Sequence, residues 1–473
     1  MSFVVEGDRV TIAGRTGLTV VVGCALLLLG ACAAKPFVNE PLSRWSQAQE
    51  QRVAQLAQGG RDSETLVLLA FSGGGTRAAA FAYGVMKELA ATTIVTPQGE
   101  RRLLDEVDVI SSVSGGSFPN AYYALYGDRI FEDFEARFLR VDIQSELEKR
   151  LFTKSGQLGS GHFGRSDMAA QLYDERLFDG RTFADCYRSG APLAIINSTD
   201  IAAGMRIAFN PTMFGLLCAD LDSYPVSRAV AASSAVPGLA TPITLQNFAG
   251  QCGFDADAWL DPSAARPSLT AIEAQGLRAY LNVSDRPWLH LVDGGISDNL
   301  GLRAFYTVLS LEQNPERVLK HLGHENVNQI LLISVNAATH HYPEWGRESK
   351  PPNAKNVLAS VTDVLMSRYT HDTTYIVRNA YKNWSESKSS EGTPLNFEFV
   401  DASFAQVTSP LERQRLNDTA TSFQLEDHEV DRLIRAGREV LRQSNEYQQF
   451  VLRNKGPLAT QYSIAFSQSQ GDH

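Results

Sequence analysis

Three short segments of this chain carry residue types that could do chemistry. The first is Ser111-Ser112-Val113-Ser114-Gly115-Gly116-Ser117. Small residues flank Ser114 on both sides, so a sharp, strained turn there can present its hydroxyl. The pattern approaches the G-x-S-x-G nucleophile elbow, with Ser112 in the place of the first glycine. Ser111, Ser112 and Ser117 compete for the role, but only Ser114 has a strand pattern before it and paired glycines after it. The second segment is Phe71-Ser72-Gly73-Gly74-Gly75-Thr76-Arg77, between an apolar run and a helical pattern. Its glycine N–H groups can approach a ligand closely at the positive end of a helix dipole. They suit an anion, either a phosphate or a tetrahedral oxyanion. The third segment, Leu291-Val292-Asp293-Gly294-Gly295, ends an apolar run with a carboxylate.

Each segment has a plainer reading when taken alone. Ser111 to Ser117 could be a Ser/Gly-rich turn, and Asp293 could cap the next element from a β-turn. Gly73, Gly75 and Ala78 even satisfy a dinucleotide fingerprint, but that motif needs an acidic residue ending the second strand, where Val113-Ser114 stands instead. A Ser/His/Asp triad finds no clear base. His290 lies three residues before Asp293, and strand alternation sends the two side chains to opposite faces. His340 and His341 follow another strand pattern, His162 lies in a Gly-rich loop and His371 in a polar helix. Asp293 is therefore the better candidate base, and a dyad is expected.

The elements that must position these segments are legible as alternating apolar runs and helical patterns. Thr65 to Phe71, Val107 to Val113, Ala191 to Asn197, Trp288 to Val292 and Gln329 to Val335 read as strands buried on both faces. The expected fold class is α/β, a mainly parallel central sheet sandwiched by helices in three layers, with a mostly helical C-terminal extension. Phe131, Phe134, Phe138 and Leu139 fall at helical spacing and are expected to pack in the core, a lid being the lesser reading. Val430, Leu433, Ile434 and Val440 mark an amphipathic helix between Glu426 and Leu441. If the sheet is open and parallel, Ser114, the glycine loop and Asp293 meet at its carboxyl edge.

In this order, the Gly-Gly-Gly-Thr-Arg loop, the Ser-x-Ser-Gly-Gly elbow and the Asp-Gly-Gly turn resemble the patatin-like phospholipase family. Asn197-Ser198-Thr199-Asp200 and Ala232-Ser233-Ser234-Ala235-Val236-Pro237 fit as well, so the resemblance runs from about residue 65 to about residue 305. It implies a serine acyl hydrolase acting on acyl esters of phospholipids or other lipids, with Ser114 as nucleophile and Asp293 as base. It further implies oxyanion-hole N–H groups from Gly73, Gly74 and Gly75, with Thr76 and Arg77 supporting them, and no cofactor or metal. Two positions depart from the pattern: Ser112 replaces the elbow's first glycine, and Ala78 stands where a glycine often follows the basic residue. A general esterase, or a catalytically silent envelope lipoprotein binding lipid or a protein partner, are the alternatives.

The 473 residues are 44% hydrophobic and 20% charged with a net charge of −10, ordinary for a globular protein and without the basic runs that nucleic-acid binding needs. An acidic chain is not drawn to anionic lipid by its overall charge either, so membrane contact needs an anchor or a local apolar patch. Arg9 and Arg15 precede an apolar run from Leu18 to Leu29, too short for a span and ending in Leu29-Gly30-Ala31-Cys32. That ending looks like a bacterial lipobox, implying cleavage before Cys32, lipidation of its thiol and a periplasm-facing lipoprotein of the cell envelope. Residues 1–31 then form the signal peptide, 32–63 a tether, 64–341 the catalytic domain and 342–473 an extension packed on it. Of the remaining cysteines, Cys218 and Cys252 flank one loop-rich stretch and are the expected disulfide if the compartment is oxidising. No spacing fits a zinc site.

Overall fold

Apolar runs that alternate between two faces need a layer of helices on each side, and that is the arrangement of the computed structural model. It describes residues 37–46, 60–153, 163–260, 269–311, 319, 324, 326–339 and 344–455. The strands are β1 (Thr65–Phe71), β2 (Thr93–Thr96), β3 (Gly99–Arg102), β4 (Val107–Val113), β5 (Leu193–Asp200), β6 (Met205–Phe209), β7 (Ile243–Gln246), β8 (Trp288–Asp293), β9 (Gln329–Asn336) and β10 (Asn396–Ser403). Eight of them form the main sheet in the order β10-β9-β1-β4-β5-β8-β7, with β6 beside β5; β2 and β3 make a separate hairpin. The five strands from β10 to β5 are mutually parallel, while β6, β7 and β8 run antiparallel to their neighbours.

β1 shows how the layers arise. Val67, Leu69 and Phe71 point into one core, and Leu66, Leu68 and Ala70 into a second. The helices used below are α1 (Gly75–Ala91), α2 (Ser117–Tyr126), α3 (Val226–Ser233), α4 (Gly295–Asp298), α5 (Ala354–Ser390) and α6 (Asp427–Gln443). The first core is covered by α1, through Ala79, Phe81, Val85 and Leu89, and by α6, through Val430, Leu433, Val440 and Leu441. Val377 and Tyr381 of α5 cover the second, with Leu300, Leu302 and Phe305. Each Val, Leu or Phe so buried stabilises the fold by about 1.5–3 kcal/mol. Phe134, Phe138 and Leu139 are buried in the first core, as their spacing predicts, and Phe131 packs against it.

Three features differ from the sequence reading. The C-terminal region is more than a helical cover, because β10 pairs with β9 over eight residues and forms the edge of the sheet. The stretch read as a tether is docked over residues 37–46. Leu42 N–H donates to the Cys218 carbonyl and Trp45 N–H to the Cys252 carbonyl, at 2.8 and 2.7 Å. Phe37 meets Tyr224 and Trp45 meets Phe254 edge-on, so burial of apolar side chains offsets the entropy of ordering this segment. Finally, β8 is antiparallel to β5, whereas an aligned antiparallel strand would carry Asp293 to the far edge. It overlaps β5 over only three residue pairs, Ser198 with Asp293 through Asp200 with Leu291, and so still ends beside the carboxyl edge.

Cys218 and Cys252 form a disulfide, and Cys186 is a buried free thiol. Among the described residues no helix is long and apolar enough to cross a membrane. The apolar run from Leu18 to Leu29 and Cys32 lie outside those residues.

Candidate active site

β4 ends at Val113, and the chain turns through Ser114–Gly116 into α2. Ser114 takes φ 49, a left-handed conformation that a non-glycine residue holds only where its surroundings impose it. A side chain at Gly115 would collide with the Gly75 carbonyl, so the elbow can approach the glycine loop only with glycine there. Ser114 N–H donates to Ser233 Oγ at 2.8 Å, and Ser233 Oγ–H donates to the Asn197 carbonyl at 2.6 Å. The rival serines are committed elsewhere. Ser111 Oγ donates to the Gly301 carbonyl, and Ser112 Oγ accepts from Asn120 Nδ2 and meets Ser117 Oγ. The hydroxyl at position 112, where the elbow pattern has glycine, is thus used to tie the turn to α2.

Asp293 lies across from this elbow because β5 pairs with both strands. Val113 sits beside Asn197 and Asp293 beside Ser198, one residue further on. The Ala232–Pro237 segment joins the two halves: Asp293 N–H donates to the Ala235 carbonyl and Gly294 N–H to the Ser233 carbonyl. Asp293 Oδ1 accepts Gly295 N–H at 2.8 Å, and the Ser114 side chain faces the same carboxylate and favours its charged form. Burial pushes the Asp293 carboxyl up to about 6, against the smaller opposing pull of those two groups. Ser114 and Asp293 are therefore brought together, with no cation among the causes of that shift.

The glycine loop splits into two parts. Gly73 N–H donates to the Asn299 carbonyl at 3.0 Å, so the donor expected from Gly73 is already used in holding the loop to the segment after α4. Gly74 and Gly75 take φ 137 and 61, reserved in practice for glycine, and among the described residues their N–H groups have no protein acceptor. Thr76 N–H donates to the Ser422 carbonyl at 2.9 Å. Arg77 is buried, donating from Nε to the Ala337 carbonyl and from Nη1 to the Thr419 carbonyl. Arg77 thereby fastens the loop to the end of β9 and to the C-terminal region. The contribution of residues 419–423 was not legible in the sequence, which shows only a polar stretch before the helical pattern that begins at Glu426.

The histidines offer no alternative base among the described residues. His290 and His371 are exposed, and His290 Nδ1 contacts Thr244 Oγ1. His324 is buried against Asp108 at the start of β4, a strand's length from Ser114. His162, His340 and His341 lie outside the described residues. Among the described residues no group of three or more His, Cys, Asp or Glu could hold a metal ion.

A family model described as patatin-like phospholipase matches residues 69–306, half of the chain. No curated protein sequence matches. Among solved structures, the chain is similar to human GIVD cytosolic phospholipase A2 at 13% identity and a TM-score of 0.43, covering 89% of this chain and 68% of that one. Its complex with methyl gamma-linolenyl fluorophosphonate gives 13% identity and a TM-score of 0.42, covering 83% of this chain and 61% of that one. The matched segment begins within β1, ends after α4 and contains the glycine loop, the Ser114 elbow and the Asp293 turn. By that match the chain belongs to the patatin-like phospholipase family and is a lipid acyl hydrolase.

Proposed function

We propose that the chain cleaves acyl esters of phospholipids or related glycerolipids through a Ser114–Asp293 dyad. The observation that carries this reading is the Ser114 hydroxyl, presented from a strained φ of 49 beside a buried carboxylate raised to about 6. A carboxylate near its ordinary value of about 3.9 accepts a serine proton poorly. Desolvation makes Asp293 a stronger base. Ser114 Oγ attacks the ester carbonyl carbon and passes its proton to Asp293. The oxyanion is held by Gly74 and Gly75 N–H, where loss of one such donor costs about 2.7–4 kcal/mol. Asp293 then returns the proton to the leaving alkoxide, and water releases the acyl group.

Fluorophosphonate labelling tests the nucleophile directly. The expected result is one label per chain, on Ser114, lost in Ser114→Ala. A folded chain that does not react would favour a silent lipid-binding protein. A panel of phospholipid, lysophospholipid, triglyceride and short-chain esters separates a lipid hydrolase from a general esterase.

The N-terminus completes the proposal: export, cleavage before Cys32 and lipidation of that thiol, with the enzyme held at the envelope membrane and facing the periplasm. The Cys218–Cys252 bridge supports it, since disulfides persist in oxidising compartments. Incorporation of a labelled fatty acid that survives Cys32→Ala would overturn it.

A further inference from the structure

Asn299 is a buried residue that the dyad mechanism leaves without a task. It is 7% exposed, and its Oδ1 has no hydrogen-bond partner among the described residues. Its backbone is already used, since the Asn299 carbonyl accepts Gly73 N–H. The side-chain oxygen lies between the two halves of the site. A methyl group placed on Gly73 would sit 2.8 Å from Asn299 Oδ1 and 3.3 Å from Ser114 Cβ. One placed on Gly295 would sit 2.9 Å from Asn299 Oδ1 and 3.1 Å from Asp293 Oδ1. Two backbone positions without side chains thus leave this oxygen close to both nucleophile and base. Met366 of α5 packs against Gly295 on the remaining side.

A buried acceptor left unmatched is destabilising, and in native proteins it calls for a donor. Asn Oδ1 can only accept, so its partner must bring an O–H or N–H. Asp293, as a carboxylate, has no donor to give, and the Ser114 hydroxyl makes no hydrogen bond to this oxygen. A water molecule can, and a water that donates to two acceptors keeps its oxygen lone pairs free to aim elsewhere. Deacylation is the step of the proposed reaction that needs a water so aimed.

We propose that Asn299 Oδ1, together with the Asp293 carboxylate, holds and orients the water that hydrolyses the acyl-Ser114 intermediate. This rests on the dyad reading above. One O–H of the water points to Asn299 Oδ1, which takes no proton. The other points to Asp293. As the water oxygen bonds to the acyl carbonyl carbon, its proton passes to Asp293. When the tetrahedral intermediate collapses, the bond from the acyl carbon to Ser114 Oγ breaks and Asp293 returns a proton to that oxygen. The products are a free fatty acid and the resting enzyme. Acylation uses the Ser114 hydroxyl as nucleophile and does not need Asn299 Oδ1. Asn299 is therefore a positioning residue for the second half of the reaction alone.

The test separates the two half-reactions in the purified full chain with p-nitrophenyl butyrate. Asn299→Leu keeps the side chain's size and removes the acceptor. It should give a nitrophenol burst of one per active site followed by turnover slowed about ten- to a hundred-fold. Its rate of fluorophosphonate labelling should match the parent's. Asn299→Asp, which retains an acceptor at the same place, should recover most of the turnover. The proposal is overturned if labelling and turnover fall together, since Asn299 would then only support the glycine loop, or if neither changes. Should Asn299→Leu fail to fold, the same ratio of labelling to turnover in Asn299→Ser decides, by the same criteria. Failure of the dyad reading looks different: the parent chain itself would not label at Ser114.

Discussion

Asp293 and Glu88 each expose only 6% of their surface, although Asp293 lies deeper from solvent, and their carboxyls are pushed in opposite directions. Burial raises both, but Glu88 sits where α1 crosses α6 and receives Arg442 and Arg438 from the next layer. Their hydrogen bonds and charges outweigh desolvation and hold it below the usual range. Asp293 receives only a backbone N–H and the Ser114 hydroxyl, too little to offset desolvation, and it rises to about 6. The difference separates a carboxylate that joins two helices from one poised to take a proton. Burial alone does not mark a functional group; burial without a countercharge, beside a nucleophile, does.

The largest effect expected from breaking this contrast is on turnover. Asp293→Asn and Ser114→Ala should each lower kcat/KM for an ester substrate by about a thousand-fold or more in folded protein; full activity in either would end the dyad reading. The next is on stability, and its sign is unusual. Asp293 binds its proton more tightly folded than unfolded, so stability falls as pH rises from about 4 through about 6. By that linkage Asp293→Asn, which keeps the acceptor for Gly295 N–H, should be more stable than the parent at pH 8 by about 3 kcal/mol. Denaturant titrations at pH 4.5 and pH 8 check whether the gain appears only at the higher pH. In the parent, the acid limb of kcat/KM should fall with an apparent pKa of about 6.

Glu88 supplies the converse. Glu88→Gln should lower stability by about 1–2 kcal/mol, a figure reduced because its two arginines are partly exposed. Its contribution is present above the ordinary glutamate value of about 4.3 and lost as pH falls through the lowered folded-state value. Turnover by the variant should match the parent's, which an ester assay beside the denaturant titration would show. Arg438→Ala, removing one of two arginines, should cost less, about 0.5–1 kcal/mol by the same titration.

The strands that build the site were the most legible part of the chain. Thr65 to Phe71 and Val107 to Val113 occur as read, because strands covered on both faces need unbroken apolar runs. Asp293 was legible as a candidate, but a carboxyl-edge location on a strand parallel to the others does not describe β8, which runs antiparallel to β5. Gly73 was legible as part of an anion-binding loop, yet its N–H is taken by Asn299, and nothing local in Phe71–Arg77 reveals that. β10 and the 419–423 segment escaped the reading because their partners lie far along the chain, dozens of residues away for β10 and hundreds for Thr419. Thr419 meets Arg77 across 342 positions.

The sequence by itself determined which residues could react and in what order they occur, because strained turns, close backbone approach and buried strands each demand particular residue types within a few positions. Only the tertiary structure decided what those residues meet. The short overlap of β8 with β5, only three residue pairs, brings Asp293 to Ser114, and the absence of a cation near that pair among the described residues leaves its carboxyl raised. The same packing left Asn299 Oδ1 unmatched between them. These are properties of distances between segments far apart in the chain, and local residue preferences do not encode them.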